Sequence, residues 1–333
     1  MSKYHVYGIG AGLVDTEIEV SDDDLKRFGI EKGVMTLVDK ARQDELMDLL
    51  SDHLVASKRA SGGSACNTII AASYFGAKNF YSCKVANDDN GEFYVNDLRA
   101  AGVDFHHNGA LPDGITGKCL VMITPDAERT MNTYLGASEF LSEQELHLDA
   151  VKNSEYVYIE GYLVSSTTGK AAAITLREEA EKCGVKTAIS LSDPAMVEFF
   201  GDGLKEMIGR GVDLLFCNAD EATRFTKTAS IEAAADALKR YTKSYAITLG
   251  AKGALVYDGR QGYPIDPHPV KAIDTNGAGD MFAGAFLYAI THGHSFEAAG
   301  KLASLASAQL VTHFGPRLPA QKHTEIKQRI LGG

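Results

Sequence analysis

The sequence predicts an α/β protein with a doubly wound, mostly parallel sheet flanked by helices, together with a smaller β-sheet. From Glu155 onward, strand patterns alternate with segments of helix length, which implies right-handed crossovers between parallel strands. One of these strands, Val212–Cys217, is an apolar-rich run of the kind that is buried on both faces. Between Thr116 and Leu135, two strand patterns flank the turn Pro125–Glu128, which predicts a hairpin in a separate sheet.

The composition limits the kind of protein and its partners. With 333 residues, 45% of them hydrophobic, the chain can bury one large core or two modest ones. A net charge of −11 argues against nucleic acid and anionic membranes as partners. No apolar run approaches the roughly 20 residues of a membrane span, and the N-terminus runs directly into a strand pattern. We therefore expect a cytoplasmic protein.

The cysteines and histidines suggest no metal site. The five cysteines are dispersed and contain no CxxC pair, so we expect reduced core thiols. His106-His107 and His292-Gly293-His294 have no acidic or cysteine partner at ligand spacing, which favours loop histidines.

The first strand, Val6–Gly12, resembles the entrance to a dinucleotide-binding turn. The full glycine motif would need a glycine where Leu13 stands, followed by a helix. The alternating pattern Asp15–Val20 predicts a second strand instead. A dinucleotide fold is therefore excluded, and Asp15 is either a turn residue or a ligand for hydroxyl groups.

The remaining elements follow in order along the chain. We predict strands at 33–38, 77–85, from 103, 116–124, 129–135, 156–160, 185–191, 212–217, 245–250 and 270–273. We predict helices at 40–55, 68–75, 91–101, 169–183, 196–208, 231–241, from 281 and, as the final one, 296–313. The larger domain would comprise residues 1–15, 40–112 and 137–333, and a small β lid residues 16–39 and 113–136.

Two glycine turns precede helices, at Ser61–Asn67 and at Asp274–Asp280. The first could bring the backbone close to a small polar substrate, or it could be a tight connection. In the second, Gly277, Ala278 and Gly279 would present first-turn amides to an anion. Asp280 lies where the helix dipole favours its ionised form. An anion site beside a basic carboxylate suits a phosphoryl transferase, and the alternative is an N-terminal cap on a core helix.

Three segments should meet at one edge of the larger sheet. Asn218–Glu221, Thr248–Gly250 and Gly277–Asp280 each follow a predicted strand, and ligands collect at the carboxyl ends of parallel strands. Glu221 with Asn218 could hold Mg²⁺ through water, or the two could form a helix-capping pair. Arg129 in the hairpin could close over phosphates, or it could be a solvated surface arginine.

The chemistry predicted for this edge is phosphoryl transfer to an acceptor hydroxyl. Asp280 would take the proton from an acceptor hydroxyl, while Asp15 and Asn67 offer a carboxylate and an amide to a vicinal diol. No G-x-x-x-x-G-K-[ST] motif and no protein-kinase H-R-D or D-F-G set occurs. The two commonest scaffolds for this reaction are therefore excluded.

These motifs together resemble the ribokinase (PfkB) family of ATP-dependent sugar and nucleoside kinases, over essentially the whole chain. The resemblance rests on Asp274-Thr-Asn-Gly-Ala-Gly-Asp280, Asn218-x-x-Glu221, the Gly62-Gly63 turn and Thr248-Leu-Gly250-x-x-Gly253. Within the family the sequence is most similar to the adenosine kinase branch. That similarity rests on Thr116-Gly117-x-Cys119 followed by Arg129, on Asn276 and on Ser64.

The resemblance implies a role for each matching residue. It implies Asp280 as catalytic base, Gly277-Ala278-Gly279 as anion hole, Asn218 and Glu221 as the magnesium and phosphate pair, and Thr248, Gly250, Gly253 and Asn276 as ATP-side residues. It also implies Asp15, Gly62, Gly63, Ser64 and Asn67 around the ribose, Tyr162 stacked on adenine, and a monovalent cation such as K⁺ near Asp274.

One position departs from the adenosine kinase pattern. These kinases usually carry asparagine four residues before the aspartate that matches Asp15, and here that residue is Ala11. Three functions therefore stay open: an adenosine or purine nucleoside kinase, a kinase for ribose, fructose or a keto-sugar acid, and a nucleoside-binding regulator without catalysis. The sequence leaves open a monomer or a homodimer.

Overall fold

Two β-sheets organise the chain, one of nine strands and one of five within residues 4–52 and 58–332, which the computed structural model describes. The strands are β1 (Tyr4–Ile9), β2 (Leu13–Glu19), β3 (Met35–Leu37), β4 (Lys58–Gly62), β5 (Asn79–Ser82), β6 (Val103–Asp104), β7 (Thr116–Ile123), β8 (Arg129–Gly136), β9 (Ser154–Glu160), β10 (Lys186–Ser190), β11 (Val212–Asn218), β12 (Thr242–Thr248), β13 (Ala254–Tyr257) and β14 (Gly262–Ile265).

The helices complete the element order. They are α1 (Asp22–Arg27), α2 (Lys40–Leu49), α3 (Ser64–Phe75), α4 (Asp89–Ala100), α5 (Leu148–Lys152), α6 (Thr167–Lys182), α7 (Pro194–Ile208), α8 (Ala219–Thr226), α9 (Ile231–Leu238), α10 (Ala278–Thr291), α11 (Phe296–Leu310) and α12 (Ala320–Leu331). Among the described helices, none is long and apolar enough to cross a lipid bilayer.

The larger sheet runs in the order β14-β13-β12-β11-β10-β9-β1-β5-β6. All neighbours from β12 to β6 are parallel, and β13 and β14 add an antiparallel edge. Because side chains alternate along a strand, Tyr158 of β9 enters the core with α3, α10 and α11, whereas Val157 enters the core with α6 and α7. Helices therefore cover both faces, and the predicted doubly wound α/β class is confirmed.

The smaller sheet runs in the order β3-β8-β7-β2-β4 and includes the predicted hairpin, in which β7 and β8 pair antiparallel. Its outer face packs against α1 and α2, where Leu25 and Leu46 meet Ile18 and Met122 of the strands. Its inner face combines apolar side chains with two buried carboxylates, and carries Leu13, Cys119, Val121, Ile123, Asp15 and Glu17. The division of the chain into a large domain and a lid stays a prediction.

Several local elements differ from the predictions. No strand was predicted at Lys58–Gly62, which is an edge strand of the smaller sheet because its backbone pairs with β2. The predicted helix 40–55 ends at Leu49, and residues 53–57 lie outside the described residues. Residues 270–273 form no strand, since the Ile273 amide donates to the Val311 carbonyl at 2.7 Å.

The C-terminal region also differs from the prediction. Helix α11 ends at Leu310, and α12 follows after the interruption that contains Pro316 and Pro319. The β13–β14 hairpin was not predicted, because its strands of four residues each are too short to show a periodic pattern.

Candidate active site

A cavity of about 530 Å³ lies between the two sheets, at the carboxyl ends of the central strands of the larger sheet. Most of the predicted site residues line it: Asp15, Gly63, Ser64, Asn67, Arg129, Tyr162, Asn218, Glu221, Thr248, Gly250, Asn276, Gly277, Ala278, Gly279 and Asp280. Three predicted residues, Gly62, Gly253 and Asp274, are not part of its lining.

The turn before α10 leaves backbone amides open towards the cavity. Gly277 caps the helix with a φ of 72°, and the first intrahelical hydrogen bond runs from Met281 N to Gly277 O at 2.8 Å. The amide of Gly279 precedes that bond and has no acceptor within residues 4–52 and 58–332. A Cβ at Gly279 would meet no atom within 4 Å, so this position faces open space. The turn can therefore accept an anion.

Asp274 organises this turn from behind. One carboxylate oxygen accepts the Asn276 amide at 2.7 Å, and the other accepts the Gly315 amide at 2.8 Å. Asp274 is almost fully buried, and this burial raises the pKa of its carboxyl. Its carboxylate thus holds the loop together.

Asp280 receives two side-chain hydrogen bonds from α3. Ser64 Oγ donates to one carboxylate oxygen at 2.6 Å, and Asn67 Nδ2 donates to the other at 3.3 Å. Burial raises the pKa of Asp280, although these donors oppose the rise. The sequence predicted that the helix dipole would favour the ionised form, and this prediction was wrong about the net direction because desolvation is the larger effect.

The turn before α3 forms the opposite wall of the cavity. Gly63 caps α3 with a φ of 92°, and a Cβ there would overlap the Ala11 carbonyl oxygen. A Cβ on Gly62 would overlap the carboxylate of Asp15, which is buried beside it. Burial raises the pKa of Asp15 well above its ordinary value, and the charge of Glu17 raises it further. Gly62 therefore makes room for the Asp15 carboxylate, and Gly63 for the Ala11 carbonyl oxygen.

Glu160, at the end of β9, was not predicted as a site residue. Its two carboxylate oxygens accept the backbone amides of Ala11 and Ala65, both at 2.8 Å. Burial raises the pKa of Glu160 to about 7, although these two amides lower it. Its only sequence signal was a glutamate at the end of an apolar strand, which does not reveal its partners.

Asn218 and Glu221 form the capping pair that the sequence gave as one alternative. Asn218 Oδ1 accepts the Glu221 amide at 2.8 Å, and the two Glu221 oxygens accept Asn218 N at 2.9 Å and Asn218 Nδ2 at 2.7 Å. Burial raises the pKa of Glu221 to about 7. The same side chains line the cavity, so the capping role does not remove them from the site.

Thr248 and Gly253 lie at the two ends of one turn, between β12 and β13. Thr248 and Gly250 line the cavity, whereas Gly253 does not. Gly253 has a φ of 90°, and a Cβ there would overlap the Ile265 carbonyl oxygen. The structure therefore gives Gly253 a turn-forming position away from the cavity.

Arg129 and Tyr162 both line the cavity, and the two side chains interact with each other. Arg129 is half-buried on β8, with Nη1 3.3 Å from the sulfur of Met131, so it is not a fully solvated arginine. The Tyr162 hydroxyl lies 3.5 Å from Asp193 Oδ2. Burial raises the pKa of Tyr162 well above its ordinary value, so it is a neutral phenol at physiological pH.

The Asp274–Asp280 turn also touches the smaller sheet. Asn276 Nδ2 donates to Glu17 Oε1 of β2 at 2.9 Å, and Thr275 Oγ1 donates to the Ala127 carbonyl at 3.1 Å. Ala127 lies in the hairpin turn between β7 and β8. Asn276, predicted as an ATP-side residue, thus binds a buried glutamate that the sequence did not single out.

Comparison with known proteins places this site in a family. The family model described as pfkB family carbohydrate kinase matches residues 38–323. The adenosine kinase of Saccharomyces cerevisiae is 27% identical over 333 residues, covering 94% of this chain and 96% of that protein. Ribokinases are also among the relatives, for example that of Haemophilus influenzae, 28% identical over 274 residues, covering 80% of this chain and 86% of that protein.

Solved structures agree with this placement. The structure of an adenosine kinase from Sinorhizobium meliloti superposes with a TM-score of 0.92 and 34% identity, covering 98% of this chain and 100% of that one. A probable sugar kinase from Rhizobium etli has the same TM-score at 32% identity, with 99% of both chains covered. The chain therefore belongs to the pfkB family of carbohydrate kinases, and it is a phosphotransferase whose acceptor is a hydroxyl group.

Proposed function

We propose that this chain transfers the γ-phosphoryl group of ATP to the 5′-hydroxyl of adenosine or a related purine nucleoside. The observation that carries the proposal is the position of Asp280 between two glycine turns. Asp280 lies in the first turn of α10, directly after the open glycine turn, and accepts hydrogen bonds from Ser64 and Asn67 on the acceptor side. A base between a phosphate site and a hydroxyl site suits direct phosphoryl transfer.

Each wall of the cavity has a part in this reaction. Asp15 and Asn67 would bind the ribose hydroxyls, and Asp280 would accept the proton of the attacking hydroxyl. The amides of Gly279 and its neighbours would stabilise negative charge on the transferring group. Arg129, on the smaller sheet, would add a positive charge from above.

The apolar part of the cavity supports a purine nucleoside as acceptor. Leu13, Met35, Met131 and Leu135 of the smaller sheet line it on one side, and Tyr162 lies among the residues of the other side. A free sugar exposes hydroxyl groups on every side and gains little from apolar walls, whereas a purine base buries two flat faces. The likeness to the S. meliloti adenosine kinase supports the same acceptor.

We also propose that Mg²⁺ accompanies ATP and that K⁺ binds near the loop of Asp274. No group of three or more His, Cys, Asp or Glu suited to a metal ion occurs among the described residues. Both oxygens of Glu221 are already hydrogen-bonded to Asn218, which fits contact with hydrated Mg²⁺ through water. The metal would neutralise the phosphate charge when bound, while Glu221 would orient its water shell.

We propose that the active unit is a monomer. Helices α1 and α2 already cover the outer apolar face of the smaller sheet, so this face does not need a second copy for burial. The experiment is size-exclusion chromatography with light scattering, where a dimer that persists on dilution would contradict the monomer.

A sugar acceptor is the second candidate, and two observations favour it. Ala11 stands where adenosine kinases usually have asparagine, and the carboxylate of Glu160 lies at the cavity, where it could contact a hydroxyl-rich ligand. The R. etli probable sugar kinase is as similar in structure as the adenosine kinase.

One assay separates the candidates. ATP consumption is measured across a panel of purine nucleosides, ribose, fructose and keto-sugar acids, with Mg²⁺ present and with K⁺ or Na⁺. We expect turnover with adenosine or another purine nucleoside. Turnover of sugars alone would establish the sugar kinase, and binding of adenosine without ATP consumption would establish a regulator.

A further inference from the structure

Arg317 is a charged residue near the cavity that the proposed reaction has not used. It lies between α11 and α12, and its side chain is only 15% exposed. The guanidinium reaches three partners on other elements: Asn67 on α3, Ser61 on β4 and Asp97 on α4. A buried arginine with partners on three elements fixes their relative positions.

The contacts of Arg317 are directional. Nη1 donates to Asp97 Oδ2 at 2.6 Å, and Nη2 donates to Ser61 Oγ at 2.8 Å and to the Ser61 carbonyl. Nη2 also lies 3.9 Å from the sulfur of Cys66. Nε donates to Asn67 Oδ1 at 3.3 Å. Asp97 therefore supplies the counter-charge, which leaves Nε for Asn67.

Asn67 lies between a group that can only donate and a group that mainly accepts. Arg317 has no acceptor, so the Asn67 carbonyl oxygen must face it. The Asn67 amide nitrogen then points the other way and donates to Asp280 Oδ2 at 3.3 Å. Ionised Asp280 is an acceptor only, so both neighbours select the same orientation of the Asn67 amide.

We propose that Arg317 is a positioning residue. It orients the Asn67 amide, and through it the carboxylate of Asp280, so that Asp280 can accept the proton of the acceptor hydroxyl. The inference deepens the proposed phosphoryl transfer and rests on it for the role of Asp280. Arg317 itself does not line the cavity, so it acts through Asn67 and not on the substrate.

The residues before Arg317 brace the opposite turn. Gly315 N donates to Asp274 Oδ2 at 2.8 Å, and a Cβ on Gly277 would lie 2.9 Å from Pro316. Three consecutive residues thus hold the anion turn with their backbone and the acceptor turn with a side chain. This arrangement sets the distance between the two turns from a single short segment.

The charge of Arg317 also acts on Asp280. Asp280 is faced by Ser64 and Asn67 of α3, by Arg129 of β8, by Asp15 of β2, and by Glu160, Tyr158 and Tyr162 of β9 and the turn after it. Burial raises the Asp280 pKa, and Arg129 and Arg317 are the cations that lower it. Removing Arg317 is therefore expected to raise that pKa further.

The experiment compares Arg317→Met and Arg317→Lys with the parent protein, using the acceptor that the parent phosphorylates. We expect kcat/KM for the acceptor to fall about 10²-fold in Arg317→Met, since small misplacement of reacting groups has effects of this size. The KM for ATP should stay the same. The acid limb of the pH profile of kcat should move to higher pH in Arg317→Met. In Arg317→Lys, which keeps the positive charge, it should lie at the same pH as in the parent.

A double-mutant cycle with Asn67→Ala tests the route of the effect. If Arg317 acts through Asn67, the double variant loses little more activity than Asn67→Ala alone. The inference would be overturned if the activity loss of the double variant equalled the product of the two single losses, or if Arg317→Met were as active as the parent. Arg177→Met is the matched control, since Arg177 is another buried arginine, bonded to Met207 O and Glu181 away from the cavity.

Folding and activity are separated by two further measurements. If Arg317→Met does not fold, the Asp97→Asn, Arg317→Met double variant removes the unpaired carboxylate that would destabilise it. A crystal structure of the folded variant shows the Asn67 side chain directly: a displaced side chain or a lost hydrogen bond to Asp280 supports the inference, and an Asn67 that keeps both its position and this hydrogen bond overturns it. A parent that consumes no ATP with any acceptor would refute the proposed function, while this structural readout would still decide the role of Arg317.

Discussion

The N-termini of α3 and α10 have similar structures, but they differ in whether a carboxylate of the protein binds their free amides. Each helix follows a glycine with positive φ and each is almost wholly buried beyond its first turn. At α3 the amide of Ala65 is bound by the Glu160 carboxylate of the same chain. At α10 the amide of Gly279 has no such partner within the described ranges 4–52 and 58–332.

The difference shows how one local motif supplies two functions. A helix N-terminus attracts an anion, and at α3 that anion is part of the protein. The same attraction at α10 remains available for a phosphate group. The turn before α3 is thus held by an internal carboxylate, whereas we propose that an anionic ligand completes the turn before α10.

The largest expected effect comes from the residue that both helices share. Asp280→Asn keeps the shape of the side chain but removes the base, so kcat should fall by about 10²–10⁴ at saturating ATP and acceptor. Ser64→Ala removes only one hydrogen bond to Asp280 and should cost less. An Asp280→Asn enzyme within a few-fold of the parent would contradict the assignment of the base.

A methyl group placed in the open turn tests the anion side. Gly279→Ala should fold, because a Cβ there meets no atom within 4 Å. The methyl group would occupy space intended for the phosphoryl group, and we expect kcat to fall by about 10²–10³, as when an anion-hole donor is lost. Gly201→Ala is the matched control, since Gly201 is a helical glycine with equally open surroundings in α7. Equal activities of the two variants would show that the α10 turn binds no anion.

The pH dependence of kcat tests the same base in the parent protein. Burial raises the Asp280 pKa, so the proton-accepting form is lost on acidification at a pH above the ordinary aspartate value. Below that pKa, kcat should fall about tenfold per pH unit, because only the ionised fraction is active. A kcat that stays constant down to the ordinary aspartate pKa would contradict this environment for Asp280.

Glu160→Gln tests the internal anion of α3. The amide nitrogen of glutamine would face one of the two backbone donors, so we expect a loss of about 1–3 kcal/mol in unfolding free energy near pH 6. The folded pKa of Glu160 is raised to about 7, so its contribution to stability is full below the unfolded pKa, falls as pH rises above that value, is partly present at pH 6 and is lost above about pH 7. The difference in unfolding free energy between the parent and Glu160→Gln should therefore decrease towards pH 8.5.

The control for this variant lies on the same strand. Glu155→Gln changes a partly exposed glutamate of β9 and should leave the free energy of unfolding unchanged. Chemical denaturation at the two pH values measures both variants. A Glu160→Gln protein as stable as the parent at pH 6 would show that Glu160 does not hold the acceptor turn.

The smallest expected effect is a gain. Ala11→Asn adds an amide at the cavity wall beside the acceptor turn, and one added hydrogen bond should lower the dissociation constant of adenosine by about 3–10-fold. Isothermal titration with adenosine measures the change. An unchanged affinity would mean that position 11 does not contact the nucleoside.

The larger sheet was predictable because its parallel strands are apolar runs separated by helical patterns. Strand β4 was not, since Lys-Arg-Ala-Ser-Gly has no strand periodicity and pairs only because β2 offers an edge. The convergence of Asn218, Thr248 and Gly277 on one cavity followed from a general rule for parallel sheets.

The contacts that connect distant parts of the chain could not be predicted from local sequence. Glu160 and Arg317 look like an ordinary strand glutamate and a loop arginine, and their roles depend on distant partners. Glu160 binds Ala65, 95 residues away, and Arg317 binds Asn67, 250 residues away. The sign of the Asp280 pKa shift failed for the same reason. The dipole is a local property of a helix, whereas desolvation depends on everything packed around it.

The hydrogen bonds from Thr275 and Asn276 to the smaller sheet have a consequence for turnover. If that sheet moves away to admit the acceptor, the hydrogen bonds to Ala127 and Glu17 must break, and both come from the turn that we propose as the anion site. Release of the nucleoside and weaker binding of the phosphate group would then occur in the same step. Such a coupling would let product and spent nucleotide leave together, and it would make the release step sensitive to substitutions that never touch either ligand.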